Sequence, residues 1–183
     1  TKDGLVGSEL GSKTVGIIGT GAIGLRTAQL CKAFGCKVIA NAPHPKKEAE
    51  GIVEYVDLET LLKESDIISL HCPLNDSSRG LINKERIALM KPTAIVINAA
   101  RGPVVDSQAL ADALNEGRIA GAGIDVFEVE PPLDVNHPLL HSKNTIVTPH
   151  VAFASAESME ARCHIVFDNI TKWLAGEQVN VIL

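Results

Sequence analysis

The sequence predicts an α/β protein built on a doubly wound parallel sheet of about seven strands, with helices on both faces. Two observations lead there. The stretch Thr14 to Gly24, TVGIIGTGAIG, passes from a short apolar run directly into a glycine-spaced turn and then a helical segment. Further along, β-branched runs alternate with amphipathic segments at a spacing that suits parallel strands joined by helical crossovers.

The elements follow in order. Thr1 to Ser12 is polar and glycine-rich, a leading linker. Val15, Ile17 and Ile18 are β-branched and unbroken by charge, as in a strand buried on both faces. Ala22 to Phe34 reads as a helix, and Lys37 to Ala40 as the second strand, stopped at Asn41-Ala42-Pro43. Residues 43–51 are a surface loop with one turn of helix at most. Ile52 to Val56 is a short third strand, and Asp57 can cap the helix LETLLKES after it. Asp66 to Leu70 is the fourth strand, ended by His71-Cys72-Pro73. Asn83 caps KERIALM, and Thr93 to Ile97 is the fifth strand. Asp106 caps SQALADALNEG, with Gly117 placed to end that helix. Ile119 to Ile124 and Thr145 to Val147 complete the sheet. Ser155 caps a last helix in which Met159, Cys163, Val166, Phe167, Ile170 and Leu174 recur at helical spacing, a stripe suited to a core or a subunit interface. The implied organisation is a linker at 1–12, a nucleotide-binding domain at 13–154 and a C-terminal helix and tail at 155–183.

Bulk properties narrow the function classes. A chain of 183 residues with 45% hydrophobic and 21% charged residues can bury one good-sized core. Its net charge of -5 and lack of a long basic run disfavour duplex nucleic acid as a partner. No apolar stretch reaches the roughly 18 residues that span a bilayer, and residues 1–13 lack the pattern of a signal peptide, so a cytoplasmic protein is expected. Cys31, Cys36, Cys72 and Cys163 have neither paired C-x-x-C spacing nor clustered histidines, and are expected as reduced, mostly buried thiols rather than metal ligands.

The chemistry starts at the turn. Gly19, Gly21 and Gly24 fit G-x-G-x-x-G, in which the first makes the tight turn, the second lets a diphosphate approach the backbone and the third lets helix and strand pack closely. Ala22 and Ile23 open the helix whose N-terminal N–H groups would face the phosphates. In such Rossmann-type sheets ligands bind beyond the carboxyl ends of the strands. Arg101, Asp125, Glu130 and His150 all fall there. Taken singly, each also has an ordinary reading, as a turn salt bridge, a loop cap, a solvated carboxylate and a loop histidine.

Taken together, NAARGPVVD (98–106), GIDVFEVEPP (123–132) and TPHVAFAS (148–155), with GTGAIG (19–24) and HCPLNDSSRGLIN (71–83), resemble the D-isomer-specific 2-hydroxyacid dehydrogenases. The resemblance runs from about Gly11 to the end of the chain. It implies an oxidoreductase that moves a hydride between NAD(H) or NADP(H) and a small 2-oxo or D-2-hydroxy acid. His150 would give a proton to the carbonyl oxygen, and Glu130 would hold and charge the imidazole. Arg101 would grip the substrate carboxylate in a two-pronged hydrogen bond. Asp125 and the backbone of Asn98, Ala99 and Ala100 would hold the nicotinamide carboxamide, and Cys72 and Pro73 would lie along the adenine and ribose side. The glutamate at 130 favours a hydroxyacid over formate, since the similar formate dehydrogenases carry glutamine there. A homodimer through this domain is also implied.

Two departures stand out. The acidic residue that usually receives the adenosine ribose falls at position 42, where this chain has Ala42. That removes repulsion toward a 2′-phosphate, which His44, Lys46 or Lys47 could bind, and leaves NAD and NADP both open. The separate substrate domain of the family is absent from this chain, which implies a fragment or ordered part of a longer protein. Alone it is expected to bind cofactor and turn over poorly. A non-enzymatic dinucleotide-sensing module that controls partner binding, like the dehydrogenase-related corepressors, is the alternative.

Overall fold

The structure is a computed structural model and describes residues 6–129 and 133–181. Seven strands form one sheet: β1 (Thr14–Ile18), β2 (Lys37–Asn41), β3 (Glu54–Tyr55), β4 (Ile67–Leu70), β5 (Ile95–Asn98), β6 (Gly121–Ile124) and β7 (Thr145–Val147). Their order is β3-β2-β1-β4-β5-β6-β7, and every pairing is parallel. The helices are α1 (Ala22–Ala33), α2 (Leu58–Glu64), α3 (Lys84–Ile87), α4 (Ser107–Asn115) and α5 (Ala156–Leu174). The doubly wound α/β reading therefore holds. No helix among the described residues is long and apolar enough to cross a membrane.

The side-chain period of two along β1 assigns the faces. Val15 and Ile17 pack with Ala28 of α1 in one cluster, while Ile18 joins Leu61 and Leu62 of α2 in the larger one. That larger cluster continues through Ile87 of α3 and Leu110 and Leu114 of α4. Gly16 exists for this packing, since a Cβ there would sit 2.2 Å from Ser65 Oγ and 2.7 Å from a Leu61 methyl. α1 thus covers one face of the sheet at β1 and β2, and α2 to α4 cover the other.

Two compact units make up the chain, one running up to Pro149 and the other from His150 onward. The sheet and α1 to α4 belong to the first. The second contains α5, which begins with a capping box between Ser155 and Ser158.

Three expectations need correction. The third strand is limited to Glu54 and Tyr55, because the N–H groups of Ile52 and Val53 turn back to the Ala49 carbonyl instead of extending the sheet. No residue of α5 is buried, and Phe167 and Leu174 are 70% and 73% exposed, so the apolar stripe forms no core within the second unit, which corrects the core half of that expectation and leaves the interface half as it was. All four cysteines are unpaired thiols, but only Cys36 is buried and Cys163 is exposed, because Cys163 rides on that uncovered helix.

Candidate functional site

Cross-strand register puts Asn41, Ile18, Leu70, Asn98, Ile124 and Val147 in one row at the carboxyl edge of the sheet. The residues that follow them, Ala42, Gly19, His71, Ala99, Asp125 and Thr148, leave the sheet side by side. Strand order reverses between β1 and β4, which opens a crevice at that edge between the glycine turn and the segment after β4.

The three motif glycines are needed for different reasons. Gly19 has φ 97° and donates its N–H to the Asn41 carbonyl at 2.9 Å, so the turn is left-handed and pinned to β2. At Gly24 a Cβ would lie 2.0 Å from the Gly19 carbonyl oxygen, which is the close packing of helix on turn. At Gly21 a Cβ would meet nothing within 4 Å. The protein's own packing does not ask for glycine at Gly21, and the cradle it leaves is the space a diphosphate needs to reach main-chain N–H groups. α1 supports this fit. It has no side-chain cap and no acidic residue in its first turn. The other four helices are capped, by Asp57, Asn83, Asp106 and Ser155. The first N–H groups of α1 are thus left for an acceptor from outside the helix.

Beside this turn is a cleft of about 440 Å³, lined by Ile23 of α1, residues 71–74 after β4 and residues 99–101 after β5. Its walls carry little charge apart from Arg101. Burial lowers the His71 pKa and raises that of the Cys72 thiol, so both tend to their neutral forms. Ser69 Oγ and His71 Nε2 lie 2.9 Å apart in a hydrogen bond that orients the ring.

The turn carrying Arg101 is built from inside. Asn98 is 1% exposed; its Nδ2 donates to the Arg101 carbonyl at 3.0 Å, and its Oδ1 accepts the Ala100 N–H at 3.1 Å. The Asn98 side chain is therefore scaffold, and its backbone neighbours Ala99 and Ala100 form the wall. Arg101 is exposed, with Nη1 donating to the Ala100 carbonyl at 2.6 Å. Gly102, quoted above only within NAARGPVVD, is buried against the segment after β6. A Cβ on it would be 1.9 Å from the Phe127 carbonyl carbon. That contact joins the Arg101 turn to the segment leading to Glu130.

Ile23, Cys72, Pro73, Ala99, Ala100 and Arg101 thus meet in one cleft. Asp125 is not among its lining residues; it is 6% exposed, accepts a hydrogen bond from the Thr148 hydroxyl and donates its N–H to the Asn98 carbonyl at 2.9 Å. Ala42 is half-buried at the end of β2, and His44, Lys46 and Lys47 beyond it are exposed. Glu130 lies outside the described residues. His150 opens the second unit, whereas Arg101 belongs to the first. His150 is left-handed at φ 54°, and its ring meets the edge of Phe153 with centroids 5.8 Å apart. Sequence reasoning quoted His71 and Leu74 without assigning them to the cleft; their position directly after a central strand was the available signal.

Comparison with known proteins agrees with this geometry. Residues 1–152 match the family described as D-isomer specific 2-hydroxyacid dehydrogenase, NAD binding domain. A hydroxypyruvate reductase from Blautia hydrogenotrophica is 44% identical over 176 residues, which cover 95% of this chain and 54% of that protein. A glyoxylate reductase from Thermofilum pendens is 44% identical over 176 residues, 94% of this chain and 52% of that protein. The crystal structure of D-lactate dehydrogenase with NAD+ from Lactobacillus jensenii superposes with a TM-score of 0.90 at 38% identity, covering 99% of this chain and 58% of that one. The chain spans about half the length of the curated relatives it matches.

Proposed function

This chain belongs to the D-isomer-specific 2-hydroxyacid dehydrogenases, of which it is the NAD-binding domain, and we propose that its protein interconverts a small 2-oxo acid and a D-2-hydroxy acid. The observation that carries the reading is the single cleft that has the start of α1 on one side and the Arg101 turn on the other. A dinucleotide whose diphosphate rests on the glycine turn would lie in the cleft that Arg101 borders. When bound, it supplies the hydride.

The chain's own residues supply position and charge. The guanidinium of Arg101 takes the substrate carboxylate through two parallel hydrogen bonds and draws electron density from the neighbouring carbonyl, a planar task that a lysine ammonium performs poorly. His150 delivers a proton to the carbonyl oxygen in reduction and removes it in oxidation, and Glu130 orients and charges that imidazole. The backbone at Asn98 to Ala100, together with Asp125, would hold the nicotinamide carboxamide, and Cys72 and Pro73 would lie along the adenine and ribose side. The relatives being reductases, the non-enzymatic alternative is not favoured. The four unpaired thiols suit a reducing, cytoplasmic setting, and the family resemblance supports a homodimer through this domain.

Glyoxylate, hydroxypyruvate and pyruvate added to the full-length protein with NADH or NADPH should each be tested for loss of nicotinamide absorbance. Turnover with at least one is expected. His150→Ala should remove most of that turnover and leave cofactor affinity nearly unchanged, whereas a fully active variant would remove His150 from proton transfer. Ala42→Asp should lower NADPH affinity relative to NADH by restoring a carboxylate that repels the 2′-phosphate. An unaltered ratio would exclude position 42 from cofactor selection.

A further inference from the structure

We infer that Tyr55 is a positioning residue for the adenosine half of the dinucleotide, an inference that rests on the glycine turn being the diphosphate site. Tyr55 ends the edge strand β3, where it pairs with Ala40 of β2. Its hydroxyl donates to Thr20 Oγ1 at 2.8 Å and accepts the Lys46 N–H at 3.1 Å. Thr20 stands between Gly19 and Gly21 and is 3% exposed. Lys46 stands in the segment that follows β2, which begins at Ala42, where the family resemblance puts the ribose.

One phenolic oxygen therefore ties together the two loops that border the adenosine side. Among the described residues, this is the hydrogen-bonded path that links segment 42–46 to the glycine turn. Its position has a physical consequence. Segment 42–46 is exposed from Pro43 to Lys46 and contributes no residue to either core cluster, so packing does not hold it. The ring of Tyr55, by contrast, packs against the cluster on the α1 face of the sheet. Loss of the hydroxyl alone would leave that ring in place, deprive buried Thr20 Oγ1 of its partner and release the segment. The released loop would have to be ordered again each time the cofactor binds, at a cost in affinity. NADPH would lose more than NADH, because its additional phosphate falls to the loop that carries His44 and Lys46.

The test is a titration of the 183-residue chain with NADH, NADPH and ADP-ribose, using wild type, Tyr55→Phe, Thr20→Val and the double variant, with thermal midpoints measured alongside. Tyr55→Phe should weaken NADH and ADP-ribose by the same factor, roughly two- to ten-fold, and shift the NADPH to NADH ratio toward NADH. Thr20→Val, which breaks the same bond from its other end, should act similarly, and the double variant should lose no more than Tyr55→Phe alone. Should Tyr55→Phe not fold, Thr20→Val decides. A merely structural tyrosine would lower the midpoint and leave the affinity of the folded chain as it was, and that result overturns the inference. So do losses that add independently in the double variant. Failure of the wild-type chain to bind either nucleotide would instead refute the diphosphate site, and this inference with it.

Discussion

Helices α4 and α5 share a capped N-terminus and an apolar stripe, yet only α4 has buried residues. In nine residues α4 buries Ser107, Leu110, Ala111, Ala113 and Leu114; in nineteen, α5 buries none. α4 joins the larger core cluster with α3 and five strands of the sheet, so its stripe is an integral part of the fold. On α5, Met159, Val166, Phe167, Ile170 and Leu174 are all exposed. Periodicity therefore reports that a face is apolar and says nothing of what lies opposite it.

That contrast can be tested by truncation. Leu114→Ala in α4 should cost about 2–5 kcal/mol of folding free energy, because a fully buried side chain leaves a cavity in a two-layer core. Urea unfolding measures it, and a loss below about 1 kcal/mol would mean that α4 is no better anchored than α5. Asp106→Ala removes the cap whose carboxylate accepts the Ala109 N–H at 2.9 Å, and should cost about 1 kcal/mol.

A smaller and pH-dependent effect is expected where Glu128 meets the start of α4. Burial alone would raise its pKa, but the Ser107 hydroxyl, its own backbone N–H and His137 outweigh that and hold the carboxyl below its ordinary value. A depressed carboxyl contributes stability that is present above its unfolded pKa and lost as pH falls through the folded one. The gap between wild type and Glu128→Gln should thus be widest near neutrality, at most about 1 kcal/mol for a partly exposed pair, and close in acid below the usual glutamate range. A gap that widened in acid would contradict the sign. Least affected should be Phe167→Ala in α5, within about 0.5 kcal/mol of wild type in this chain. A cost of several kcal/mol there would show that the stripe is covered in solution.

Much of the fold could be read from local chemistry. Asp57, Asn83, Asp106 and Ser155 each cap the helix assigned to them, because a side-chain oxygen before a periodic run has few other uses. The glycine turn was equally readable, since Gly19 and Gly24 answer steric demands of the turn itself and Gly21 leaves the cradle open. Ile52 and Val53 were misread for the opposite reason: they have strand propensity, but a competing turn to Ala49 captures their N–H groups. The cleft is lined by Arg101, Cys72 and Pro73 and not by Asp125; as candidates, Arg101 and Asp125 were legible from strand ends, and Cys72 and Pro73 from the family resemblance. Gly102 and the bridge from Tyr55 to Thr20 were not, because each depends on a partner far away in sequence.

Sequence alone decided the order of strands and helices, the helix starts and the chemistry of the diphosphate turn, all of which follow from steric and hydrogen-bonding needs within a few consecutive residues. Tertiary structure decided that six strand ends share one row and that Ile23 and Arg101 border one cleft. It also decided that the stripe of α5 is exposed. Those outcomes depend on which distant segments pack together, and packing free energy belongs to pairs of surfaces that no local pattern can name.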